Sequence, residues 1–351
     1  MNPEQMLEFL RRDKIVSNEI LEGDLSGIDF SGAVFDRVDF RAALIHDCNF
    51  SKAVLMNCDC RGIQWTQATL DGTTFTDCDF SEADLSQQHI EQGAWTGTQF
   101  VRANLDGLSL RQTNVANCDF ESASMIGTVI FETAFMQCQF KQAVVTQGDW
   151  FNFVINGTDL SETQWRPTRL EKGVMVQCDL SNKPLQHSVW LQCSLNESRL
   201  VGSDLSDSNL YHCLFIGCDM QDCQLNRANL HGTNFTDAAL QGSNFSQCDI
   251  SGGNFERARI DHAQFVDASV SNGRFVDSCI KQTTFTGANL VMSDFSNAVL
   301  EDCQFSQAIL THANWHNVTN NGKLSSLQSS VVMGTDSDRF EVEQQLRSSQ
   351  R

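Results

Sequence analysis

The residues of this 351-residue chain best suited to chemistry are its 14 Cys and eight His. In a secreted chain such a set would suggest disulfides, and in a reducing compartment a metal site. The spacing opposes both. Twelve of the Cys fall at numbers ending in 3 or 8, and Cys58, Cys78, Cys118, Cys138, Cys178 and Cys218 are separated by multiples of twenty. Thiols placed so regularly read as structural filling, because a free buried Cys packs as a small hydrophobe. The sharpest competing constellation is Cys213, Cys218 and Cys223, but zinc would need all three deprotonated at about 2.3 Å from one point, with Phe215 and Met220 between them. No two His are twenty residues apart, so no two-His ladder forms. Ser, His and Asp are plentiful but dispersed, and the 22 Gly make no phosphate-cradling loop of the P-loop or dinucleotide type. The sequence predicts no catalytic site, no metal and no cofactor.

What positions these residues is a frame of five. From Leu25 to Trp315, 58 of the 59 residues whose numbers divide by five are large and apolar, Cys60 being the exception. Two residues before each of these centres stands a small residue (Gly, Ala, Ser, Thr, Cys or Val) in 53 of 59 cases; Ile28, Ile63, Gln88, Leu108, Phe153 and Lys183 depart from the rule. A period of five is neither the 3.6 of an amphipathic helix nor the 2 of a half-buried strand, so the chain must turn a corner in every repeat.

Ala83-Asp84-Leu85-Ser86, Ala103-Asn104-Leu105-Asp106-Gly107, Ala228-Asn229-Leu230-His231-Gly232 and Ala288-Asn289-Leu290 closely resemble the pentapeptide-repeat family, and the resemblance runs over residues 23 to 317. It implies an all-β solenoid: a right-handed, four-sided parallel β-helix with four pentapeptides to a coil of twenty residues. The centre and the small residue would point inward and the other three positions outward, the latter taking all eight His. The frame then makes about 14 to 15 coils, a rod about 70 Å long. Phe235, Phe255, Phe275 and Phe295 should form one inner column, and Phe245, Phe265, Phe285 and Phe305 another. A Lys at the inward position 183 would be costly without a partner, so the backbone there should bulge to free it.

The net charge of −20 comes from 44 acids against 24 bases, with no basic patch. Direct binding to nucleic acid or to an anionic membrane is therefore not expected. No apolar leader and no run of about 18 apolar residues appear, which leaves a cytoplasmic location as the expectation. Fourteen Asp stand immediately before a centre, among them Asp24, Asp29, Asp39 and Asp79, where the family uses Asp or Asn in local turn hydrogen bonds. The rest of the charge is uneven: 14 acids and five bases over residues 21–106, nine and seven over 107–200, 13 and five over 201–318.

That nearly neutral middle also holds Phe153, Lys183, Pro167 and Pro184, together with Trp150, Trp165 and Trp190, so residues 148–190 should be an irregular but inert pair of coils or, in a functional reading, a kink or a docking patch. Three divisions are expected: a helical cap over 1–21 beginning at Asn2 and Pro3, with Met6, Leu7, Phe9 and Leu10 as its apolar face; the β-helix over 22–317; and an irregular tail over 318–351 with a short helix near 336–347.

Two functions compete, with catalysis set aside. The first is a non-catalytic interaction scaffold, since long loop-free family members of this size resemble components encoded with type VI secretion genes. A specific protein partner needs local anchors that a repeat does not supply, which selects Phe151, Arg166, Arg169 and Lys172 as a docking surface and Phe340 and Leu346 in the tail as a second contact. The tail or a terminal coil also offers a route to a homodimer. The alternative is an acidic DNA mimic, resembling members that bind DNA gyrase and confer quinolone resistance or toxin immunity; its binding face would include Asp71, Asp77 and Glu82.

Overall fold

A computed structural model describes residues 3–12, 14–65, 67–320, 333–337 and 340–341. The chain divides into two compact units, Met1–Asp179 and Leu180–Arg351.

The first unit is a four-sided parallel β-solenoid. Residues twenty apart pair in register, as in Val34↔Val54, Val54↔Thr74 and Thr74↔Ala94 on one side and Asp39↔Asp59↔Asp79↔Gln99 on the next. A third side runs Gln64↔Asp84↔Asn104↔Ser124↔Val144. The fourth carries the strands His89–Glu91, Ser109–Arg111, Val129–Phe131, Asp149–Phe151 and Arg169–Glu171. Every centre of the five-residue frame is buried, here and in the second unit. A corner falls two residues after a centre, and at all but Ala42, Glu162 and Pro167 its residue takes a left-handed φ, as Asp47 (φ 56), Asn57 (φ 53) and Gln87 (φ 60) do. The carboxylates before the centres brace these corners: Asp29 Oδ1 accepts the Ser31 amide and Asp79 Oδ1 the Ser81 amide.

One corner of this unit cannot be built that way. Pro167 stands where a left-handed φ is required, and its ring holds φ near −65°. Residues 162 and 167 are the only corner positions between 47 and 177 without a positive φ. Pro167 turns inward instead, Thr168 is exposed, and the amides of Thr168 and Arg169 both donate to Gly148 O, at 2.9 and 3.3 Å. The disturbance is local, because Gln164–Arg166 still pairs with Val144–Thr146 and Arg169–Glu171 with Asp149–Phe151. Phe153, oversized for a small site, stays fully buried edge-on to Trp150 at 5.3 Å. Its room comes from Gly173, one coil on, where a Cβ would lie 2.3 Å from the ring.

The N-terminal cap is shorter than expected. Helix α1 spans Pro3–Arg12, and Ile15–Ser17 already pairs with Val34–Asp36. This first coil is one residue short: Ile20 lies opposite Asp39 but Glu22 opposite Ala42, with a bulge between, so Val16 and Leu21 are the inward residues. Of the helix's expected apolar face only Met6 is buried; Leu7 and Phe9 are 44% and 38% exposed. Asn2 lies outside the described residues.

In the second unit the Phe columns form as expected. Phe235, Phe255, Phe275 and Phe295 stack at 4.7–5.1 Å, and Phe245, Phe265, Phe285 and Phe305 at 4.8–5.0 Å. Small inward hydroxyls and thiols donate to the carbonyl of a centre one coil back: Ser243 Oγ to Met220 O, Thr283 Oγ1 to Ile260 O, Cys248 Sγ to Leu225 O. These Cys are therefore weak donors as well as fillers, which explains why Ser, Thr and Cys alternate at one kind of position. The backbone does not bulge at Lys183; the residue stays in frame and buried, and its amide donates to Ser203 Oγ.

At the end of this unit Met333 pairs beside Asn314, its amide donating to Ala313 O and its carbonyl accepting from Trp315. His316, expected outside, is buried because this returning segment crosses it and the Asp336 amide donates to its Nδ1 at 3.2 Å. Of the expected tail helix, Ser337, Phe340 and Glu341 are helical among the described residues.

Candidate protein-docking face

The fourth side of the first unit presents two outward rows. The residue before each centre gives His89, Ser109, Val129, Asp149 and Arg169; the residue after gives Glu91, Arg111, Phe131, Phe151 and Glu171. Strand pairing holds each row at one coil step, about 4.8 Å. In the second row Phe131 and Phe151 stack at 5.2 Å with planes 10° apart. Arg111 lies over the free side of Phe131, 4.7 Å from its centroid, and the Lys172 ammonium 5.2 Å from that of Phe151. Val129 in the neighbouring row is 47% exposed.

Among the described residues, cations without an ion pair lie around the same place, as Lys14 and Lys52 do elsewhere in the unit. Arg37, Arg41, Arg61, Arg102 and Arg169 each meet a carboxylate. Among the described residues Arg111, Arg166 and Lys172 form no ion pair. On another side Arg41 and Arg61 straddle the column Asp39, Asp59 and Asp79, and their guanidinium hydrogen bonds hold the Asp39 and Asp59 carboxyls below the usual range.

The expected docking residues are thus partly assembled. Phe151, Arg169 and Lys172 share the face, with Arg169 held by Glu171 at 2.5 Å. Arg166 is exposed on the adjoining side, in the strand Gln164–Arg166, and Phe153 is inside the coil. Phe340 belongs to the second unit, half-buried, its amide bonded to Asp336 O at 3.0 Å; Leu346 lies outside the described residues. The acidic alternative does not converge. Asp77 and Glu82 fall at successive corners and Asp71 just before the preceding one, Gly72; Asp71 accepts the Glu91 amide, Asp77 is exposed, and Glu82 pairs with Arg102 at 2.6 Å. Phe131 and Arg111 were not anticipated, although both stand in the twenty-residue register of Phe151.

The described residues contain no cluster of three or more His, Cys, Asp or Glu able to hold a metal, and no helix long and apolar enough to cross a membrane. The Cys213, Cys218 and Cys223 thiols instead donate to Trp190 O, Leu195 O and Leu200 O. His212 and His231, nineteen residues apart, do come together at 5.9 Å beside Tyr211.

Comparison with known proteins agrees with this geometry. A model described as pentapeptide repeats (8 copies) matches residues 22–51, 48–87, 98–133 and 278–317, and one described as a pentapeptide repeat region matches 188–265. These spans take in more than half of the sequence, and the chain belongs to the pentapeptide-repeat family. Among solved structures it is similar to a trypsin-treated form of QnrB1, a plasmid-mediated fluoroquinolone resistance protein (19% identity, 65% of this chain and 89% of that one, TM-score 0.25). It is also similar to HetL, involved in heterocyst differentiation regulation in the cyanobacterium Nostoc sp. strain PCC 7120 (17% identity, 89% and 96%, TM-score 0.18). With TM-scores this low, the assignment rests on the repeat models and the coils themselves. No curated protein matches in sequence.

Proposed function

We propose that this chain is a non-catalytic protein-interaction scaffold whose coils display a docking face around Phe151, Lys172 and Arg169, with Arg166 across the corner. The observation that carries this reading is the outward Phe131–Phe151 stack. Two half-buried aromatics outside the core stand beside exposed Val129 and cations without an ion pair, and aromatic and Arg anchors dominate protein interfaces. The tail residues Phe340 and Leu346 are a second contact in this proposal, and the tail or a terminal coil a route to a homodimer. The narrower role of a type VI secretion accessory in the cytoplasm rests on the family resemblance in length and lack of loops.

Acidic DNA mimicry is the second reading. The net charge of −20 and the aligned Asp39, Asp59 and Asp79 favour it, while the arginines straddling that column weigh against it. Combined alanine substitution of Phe151, Arg166 and Arg169 is set against charge reversal at Asp71, Asp77 and Glu82, with partners captured from the native cell and identified by mass spectrometry. The scaffold reading expects capture to fail with the first variant and persist with the second. The opposite pattern supports mimicry.

A further inference from the structure

The row Arg111, Phe131, Phe151 and Lys172 has a chemistry that none of its members has alone. The two rings face each other along the stack, and the guanidinium and the ammonium close its two ends. Ring faces carry the negative lobe of the aromatic quadrupole and ring edges the positive one. With both faces of the pair occupied, what turns outward is a cation, two positive edges and a second cation. The strip is therefore electropositive along its length, in a chain of charge −20. Of the nearby carboxylates Glu171 pairs with Arg169, while Glu132 keeps its charge and accepts from the neutral Gln112 Nε2 at 2.9 Å. Asp149, in the parallel row, and Glu91, one coil before Arg111, bound it.

We propose that this strip recognises an extended acidic segment of a partner protein, an inference that rests on the docking reading above and specifies what docks there. Three coil steps separate Arg111 from Lys172, about 14 Å. An extended chain rises about 3.3 Å per residue, so carboxylates at i and i+4 of one face reach both cations. The residue at i+2 then falls over the ring edges beside exposed Val129 and is apolar. A short segment suits the site better than a nucleic acid, whose continuous phosphates would run beyond the strip into Glu91 and the acids outside it.

The test is selection of random dodecapeptides, displayed on phage, against the intact chain, with affinities then measured for the recovered peptides and for a single-stranded oligonucleotide. All the substituted side chains are on the outside, so the fold is retained, and far-UV spectra verify it. The expected result is peptides rich in Asp and Glu around an apolar residue. Their binding should weaken about tenfold or more in R111E/K172E and in F131A/F151A, and weaken with added salt. Peptides without acids that are lost in F131A/F151A but unaffected by R111E/K172E would overturn the acidic partner and leave the docking face standing. Peptides indifferent to both variants, or none recovered, would overturn both. Tighter binding of the oligonucleotide at the same residues would replace the partner class.

Discussion

In the second unit the interior is ordered by repetition: each Phe of a column lies on another Phe, with planes within 18° in the two main stacks. The first unit has to fit Trp among Phe, with Phe75 on Trp95, Phe135 on Trp150, and Trp150 edge-on to Trp165. It does so by removing atoms nearby. Gly93 and Gly148 stand at the small sites before Trp95 and Trp150, where a Cβ would lie 3.3 and 2.9 Å from the indole nitrogens, and Gly173 makes way for Phe153. A coil of fixed girth thus makes room for a large residue where a neighbour gives up volume, and the uniform columns do the same at Gly253 and Gly273, where a Cβ would lie 3.3 and 3.2 Å from the rings of Phe255 and Phe275.

The contrast is broken most directly in the uniform unit. Phe275→Ala removes a ring stacked at 4.7 Å on both Phe255 and Phe295. It should cost about 3–5 kcal/mol in chemical denaturation, against less than about 1 kcal/mol for the outward Phe131→Ala. Equal costs would mean that the columns do not carry the stability assigned to them. The exchange of volume in the first unit is tested next: Gly173→Ala should cost about 1–3 kcal/mol by overpacking, and F153A/G173A should be less destabilised than the two single losses combined. Strict additivity would remove Phe153 as the reason for Gly173.

The smallest effect sharpens the contrast without perturbing stability. Cys279, in the second unit, is half-buried, whereas the other 13 Cys are buried and none is in a disulfide. Burial pushes the Cys178 thiol up to about 11 and those of Cys218 and Cys248 to about 12, which withholds the reactive thiolate. Alkylation of the native chain, mapped by mass spectrometry, should therefore mark Cys279 and spare every Cys of the first unit until denaturant is added. Early labelling of Cys58 or Cys118 would show the first unit opening locally.

The five-residue frame made the interior legible, because a narrow coil fixes the volume at every inward site. Only Gly23, Thr168 and Ala308 among the small sites are not buried. Thr168 shows how the pattern fails: counting by fives ignores that Pro cannot take the corner conformation. Lys183 fails differently, since its size and charge argued for a bulge that the backbone does not make. His316 is buried by a segment outside the frame. The candidate docking face was half legible. Phe151 and Lys172 stood out by type, but Phe131 and Arg111 needed the outward positions read in columns, and outward positions carry no volume constraint to make a pattern visible.

The shortened first coil bears on how such a chain can change its length. A bulge between Ile20 and Glu22 absorbs one missing residue there, at the end of the solenoid, where only one neighbouring coil has to agree. The same deletion in the interior would shift every later centre out of step with the coil before it, and bulky side chains would meet corners built for Ala or Ser. Heredity is left with one safe edit, the gain or loss of a whole lap of twenty residues. A lineage of such proteins should therefore differ in length by whole laps, and a designer can splice this chain as one adds or removes links.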